Sequence, residues 1–156
     1  METQAVVVMD GQKVSKADGV LALRAPRARL TIVSKKSGTH HAYRIKPMRE
    51  AYEDDPRRQV AVLGAGGKPT WVGTLFCVPG KPIQFGAKVA CAGAAALTWV
   101  VDHVVGGEGL DAVEWWHQGC CHKCGKKLHD PQSLARGFGP DCYAMMQAMN
   151  SGKVGA

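Results

Sequence analysis

Cys121, Cys124 and Cys142 are the residues of this 156-residue chain whose type and spacing best suit chemistry. Cys121 and Cys124 form a C-x-x-C pair followed by Gly125, the pattern of a zinc knuckle. One tight turn presents two thiolates, and the glycine frees backbone N–H groups to face sulfur. Cys142 follows after seventeen intervening residues, within "GFGPDCYAMM". Pro140 suits the first position of a helix, which places Cys142 in its first turn, where the helix dipole favours a thiolate. A knuckle plus a helix-start cysteine is treble-clef-like. A redox C-x-x-C would sit in a βαβ pattern, and none is visible around this one.

A closed tetrahedral site needs a fourth ligand. Residues 116–143 hold four of the six cysteines and three of the six histidines, so there is a choice. His122 lies inside the knuckle turn and should point away from the metal. Cys120 directly precedes Cys121, and adjacent residues rarely both ligate one ion. His129 could reach but sits just before a helix cap. His117 stands four residues ahead of Cys121, where an incoming strand can fold over the knuckle. "DPQSLARG" reads as a short helix, with Asp130 as N-cap, Pro131 at the first position and Gly137 as the stop.

The segment is similar to a small uncharacterised family of phage and actinobacterial proteins. Their pattern runs W-H-x-G-x-C-x-x-C-G-(K/R)-x-L-x-x-P-x-S, then G-x-G-P-x-C. Trp116, His117, Gly119, Cys121, Cys124, Gly125, Lys126, Leu128, Pro131, Ser133, Gly137, Gly139, Pro140 and Cys142 match it. "TIVSKKSGTHHAYRIK" upstream also resembles a Ser-Lys-x-(Ser/Thr)-Gly-x-x-x-Tyr-Arg hairpin that precedes this module in phage proteins. The resemblance covers about half the chain and implies a zinc module in a mobile-element setting, without an activity. In that register Cys120 falls at a position usually held by a basic residue. The expected ligands of a structural Zn²⁺ are therefore His117, Cys121, Cys124 and Cys142, with Cys120 or His129 as replacements for His117. Chelation is expected to melt residues 115–150 and leave the rest folded.

The elements that must position this site read as an α+β fold. The expected architecture is an antiparallel sheet of two hairpins on one long Ala-rich helix, followed by the zinc module. Runs 5–9, 19–23 and 29–34 read as strands. Residues 40–47 alternate after the turn 34–39, with His41, Tyr43 and Ile45 on one face and His40, Arg44 and Lys46 on the other. Residues 29–46 therefore make one hairpin, and 59–64 with 70–76 the other. Residues 49–58 are a polar loop that Pro56 keeps from being helical. Helical spacing of small residues predicts a core helix over 88–105, with Cys91 on it and Cys77 before it as buried thiols. Trp115 and Trp116 are expected at the seam between the β-rich part and the cysteine module, with one of the pair exposed; the alternative is a stacking platform for bases. The expected division is a β-rich basic domain over 1–110, a zinc-binding module over 111–150 and a disordered tail over 151–156.

Charge then bears on partners. Residues 1–105 carry 15 Lys/Arg against 8 Asp/Glu, a net +7, while residues 106–156 carry five of each. Eight basic residues lie between Arg24 and Arg49. Such a field attracts polyanions, nucleic acid first. The expected contacts are Arg27, Arg29, Lys35, Lys36, Arg44, Lys46, Lys123, Lys126 and Lys127. The expected function is a zinc-containing, nucleic-acid-binding accessory protein, with single-stranded or duplex DNA, or RNA, as partner. The resemblance implies a phage setting such as replication or recombination. The alternative is a phage protein that binds and inhibits a host protein or nucleoprotein defence complex. Catalysis is not expected: H-E-x-x-H, paired carboxylates, a phosphate loop and the deaminase signatures are all missing. The N-terminal run lacks a signal-peptide pattern and the longest apolar stretch, 89–101, is short for a membrane span, so a cytoplasmic protein is expected.

Overall fold

A computed structural model of the chain describes residues 12–49, 55–64, 67–105, 112–117 and 119–150. The fold is α+β. Its frame is one seven-stranded antiparallel sheet made of β1 (Gln12–Val14), β2 (Arg29–Ser34), β3 (His40–Pro47), β4 (Arg57–Leu63), β5 (Pro69–Phe76), β6 (Gln84–Ala87) and β7 (Val113–His117). The order across the sheet is β1-β7-β2-β3-β4-β5-β6. Strands β2 to β6 form a continuous meander rather than two separate hairpins, because β3 and β4 also pair, from Ala42 against Leu63 to Pro47 against Arg58. The hairpin over 29–46 is present, closed by a turn in which Gly38 takes a φ of 75°.

Strand β7 returns from late in the chain and inserts between β1 and β2. It aligns Trp115 with Val14 and Ile32, and His117 with Gln12 and Leu30. The segment that leads into the knuckle is thus an inner strand of the large sheet. Alternation sends Val113, Trp115 and His117 to the buried face and leaves Glu114 and Trp116 on the other.

Helix α1 (Lys16–Leu23) occupies the run expected as a strand over 19–23. The local signal is Ser15-x-x-Asp18: the Ser15 hydroxyl accepts the Asp18 N–H at 3.2 Å and caps the first turn. Gly19 lets this helix lie against Trp115, since a Cβ there would come within 2.4 Å of the indole. The expected strand 5–9 and tail 151–156 lie outside the described residues.

The long helix over 88–105 is shorter than expected. Lys88 and Val89 still donate to the Val72 carbonyl of β5, so α2 spans only Ala92–Trp99 and continues into a wider π-helical segment, Val100–Val105. Val100, Val101 and Val104 are β-branched, which lowers the α-helical propensity of this stretch. Cys91 is exposed at the N-cap, against the expectation of burial, while Cys77 is buried. Helix α2 crosses the sheet closely: the Tyr43 hydroxyl donates to the Gly93 carbonyl at 2.7 Å, and Val62 fills the space a Gly93 side chain would need. Helices α3 (Pro131–Arg136) and α4 (Pro140–Asn150) complete the fold on the same side. Leu128, Phe138 and Met146 join Leu30, Tyr43 and Trp115 in one hydrophobic core. Among the described residues, no helix is long and apolar enough to cross a membrane.

Candidate metal centre and basic cleft

The knuckle is a small hairpin turn. Gly125, at φ 81°, donates to the Cys121 carbonyl and Cys121 donates to the Lys126 carbonyl, both at 2.8 Å. Cys120 and Lys127 pair across it. Helix α3 follows with the expected caps: Asp130 accepts the Ser133 N–H at 3.0 Å, and Gly137 leaves the helix at φ 82°. The chain then turns into α4, whose first turn carries Cys142. The sulfurs of Cys121, Cys124 and Cys142 all lie within 4.8 Å of one another, and together they could hold a metal ion.

The electrostatics of this trio fit a cation. Burial pushes the Cys121 thiol up, but the backbone N–H groups of Cys124, Gly139 and Lys123 outweigh it and hold it below its ordinary value. Burial, then the neighbouring sulfurs of Cys121 and Cys124, push Cys142 well above its own. One thiolate is welcome here and a second is resisted, which is the balance a bound metal reverses.

His117 does not join the sulfurs. It is fully buried on the inner face of β7, where its Nδ1 accepts the Gly119 N–H at 2.8 Å and its Nε2 donates to the Leu134 carbonyl. Both nitrogens are engaged in holding the loop into the knuckle and the end of α3. Among the described residues the metal-capable cluster is three cysteines, and neither Cys120 nor His129 adds to it.

His122 points away from the sulfurs, as its place in the turn implies. Its role, which sequence reasoning missed, is to clamp the knuckle to the sheet. Its Nδ1 accepts the Arg29 N–H at 3.3 Å, its carbonyl accepts the Arg27 N–H at 2.8 Å, and its ring packs edge-on against His117 and Phe138. Burial, then the neighbouring His117, lower its pKa to about 3, so the ring stays neutral. Gly137 leaves room for it, since a Cβ there would come within 2.8 Å of the imidazole.

This clamp brings basic residues to the metal module. Arg27, Arg29, Arg44 and Lys46 line a cleft of about 330 Å³ with Cys120 and Gly125 of the knuckle. The Arg27 guanidinium donates to the Lys123 carbonyl at 3.1 Å. Lys126 and Lys127 are exposed on the knuckle. Arg29 stands directly opposite Arg44 across β2 and β3, and neither has an acidic partner among the described residues. Like charges in that register cost stability. Lys35 and Lys36 are not part of this group. They lie at the far end of β2, roughly 20 Å away at about 3.3 Å per residue, beside a separate apolar groove that also includes Trp99 and Tyr43.

Residues 117–147 match the model of a family of unknown function, DUF6011. The match takes in the knuckle, α3 and most of α4, and leaves the upstream hairpin outside it. No curated protein and no solved structure matches the chain.

Proposed function

We propose that the protein is a nucleic-acid-binding accessory protein whose basic cleft is held in shape by a Zn²⁺ on Cys121, Cys124 and Cys142, its fourth position filled from outside this trio. The observation that carries this reading is the Arg29–Arg44 couple, which has no acidic partner among the described residues and stands with Lys46 and Arg27 beside the knuckle. Two arginines placed face to face without a carboxylate are a standing cost that a bound polyanion relieves. Phosphate oxygens are the anions that guanidinium forks fit best. The resemblance to phage proteins supports a place beside phage DNA replication or recombination.

Zinc suits the donor set. Thiolates select zinc, copper(I) or iron–sulfur clusters. A Zn–S bond of about 2.3 Å sets tetrahedral sulfurs roughly 3.8 Å apart, within the spacing of this trio. Metal analysis should find one zinc per chain, and the cobalt-substituted protein should show thiolate charge-transfer absorption that weakens in Cys124→Ser. Full zinc retention by a Cys121→Ser/Cys124→Ser double variant would sink the assignment.

Nucleic-acid binding is tested by its salt dependence. Affinity for a labelled oligonucleotide should fall steeply between about 50 and 200 mM salt. Arg29→Ala and Arg44→Ala should each weaken binding and reduce the slope of log K against log salt by about 1. No binding at micromolar protein and low salt would overturn the proposal. Purification of one stoichiometric protein partner that survives nuclease, with no affinity for oligonucleotides, would favour the host-protein reading instead.

A further inference from the structure

Among the described residues, the helices leave the second face of the sheet uncovered, with Arg29 and Trp71 exposed on it and Ala61 buried beneath its neighbours. Every helix that makes a specific contact does so on the side of Tyr43, Val62, Trp115 and His117. The opposite side carries Trp116 on β7, Arg29 and Thr31 on β2, Ala42, Arg44 and Lys46 on β3, Ala61 on β4 and Trp71 on β5. The register joins all of them but Lys46 in two neighbouring rows. Trp116 pairs with Thr31, which pairs with Ala42, while Arg29 pairs with Arg44, then Ala61, then Trp71. Between the two tryptophans the floor is therefore small residues crossed by two arginines.

We infer that the ligand is single-stranded nucleic acid laid across this face, with bases stacked on Trp116 and Trp71 and phosphates held by Arg29, Arg44 and Lys46. This rests on the nucleic-acid reading above and narrows it to a substrate class. Trp71 is 38 % exposed and Trp116 is half-buried, so each fixes a ring while leaving surface to stack on. The Lys46 ammonium lies over the Trp71 ring, 4.9 Å from its centre, so a base stacking there takes the cation's place on the ring face and the long side chain swings to its phosphate. The acidic residue on this face, Glu114, is neutralised by Lys13 at 3.1 Å and accepts the Trp116 indole N–H at 3.4 Å, which steadies that ring.

Dimensions decide against duplex. Four strand steps separate Trp116 from Trp71, roughly 19 Å at about 4.8 Å per step, a length for several unstacked nucleotides. The seven strands together span roughly 29 Å. A B-form major groove is about 12 Å wide and admits a helix or a two-stranded ribbon, not the flat of such a sheet. Paired bases also offer no face for an indole, whereas every unpaired base does.

The test is equilibrium binding of the full, zinc-loaded chain to a fluorescent oligothymidine and to a mixed-sequence duplex of equal length. The oligonucleotides should exceed the roughly 4–16 nucleotides of known single-strand sites. The single strand should bind more tightly and quench tryptophan fluorescence. Trp71→Ala and Trp116→Ala should each weaken it roughly 5- to 150-fold, the loss of about one stacked base, and the Phe variants should restore most of that. Trp71 is exposed, so its variants keep the test valid if Trp116→Ala unfolds. Equal or tighter duplex binding, unmoved by Trp71→Ala or Trp71→Phe, would overturn this inference and leave nucleic-acid binding standing. Binding of neither probe would overturn both.

Discussion

Cys77 shows how much one residue's surroundings determine. Its thiol is buried against the Leu23 carbonyl at 3.6 Å. Burial pushes its pKa up to about 11, against a weaker pull from Arg58 and Arg24. In the unfolded chain it ionises near its ordinary value, so above about pH 9 the unfolded state has lost a proton that the folded state keeps. Stability from this group is complete below that pH and falls as pH rises towards 11, by up to about 1.4 kcal/mol per unit. Urea midpoints at pH 8 and pH 10 should therefore differ less in Cys77→Ala than in the parent. An unchanged difference would show that Cys77 is not the group responsible. Among the cysteines, the metal trio was legible from spacing alone, because knuckle and helix cap act within a few residues. The exposure of Cys91 was not, because it depends on where α2 starts.

At the scale of elements, the hairpin over 29–46 and the caps of α3 could be read directly, since alternation, Gly38, Asp130 and Gly137 are all local signals. Helix α1 was misread because the apolar run Val20–Leu23 suits a strand as well as a buried helix. Its cap at Ser15 and Asp18 was the available clue. The approach of α1 to β7 gives a sharp expectation for Gly19→Ala. Alanine raises helix propensity by about 1 kcal/mol, but its Cβ would sit 2.4 Å from the Trp115 ring. Overpacking of this kind costs about 1–3 kcal/mol. The variant should be net destabilised in urea, with altered near-ultraviolet circular dichroism from Trp115. A stabilised variant would mean that propensity outweighs packing here.

For the whole molecule, the place of β7 changes what metal loss should do. The strand leading to the knuckle lies between β1 and β2, His122 ties the knuckle to Arg27 and Arg29, and the Tyr143 hydroxyl reaches Asp18 at 2.9 Å. Cys121, Phe138 and Met146 share the core of the sheet. Structural zinc contributes about 10–16 kcal/mol apparent, as much as the total stability of a typical domain, about 5–15 kcal/mol. If zinc occupies the site, chelation should lower the melting of the entire chain in one transition and loosen Trp115 with it. This replaces the expectation that only residues 115–150 would melt. Persistence of the Trp115 signal after full metal removal would restore the two-part picture.

The sequence by itself determined the convergence of Cys121, Cys124 and Cys142, the β2–β3 hairpin and the face it gives Arg44 and Lys46, because turns, caps and alternation act over short stretches of chain. Tertiary structure alone decided that His117 is a buried brace, that His122 is the clamp, and that Trp116 and Trp71 share an open face with the arginines. Each of those depends on strands paired across the length of the chain. No local pattern specifies which strand will lie beside β2, and that choice sets what each side chain meets.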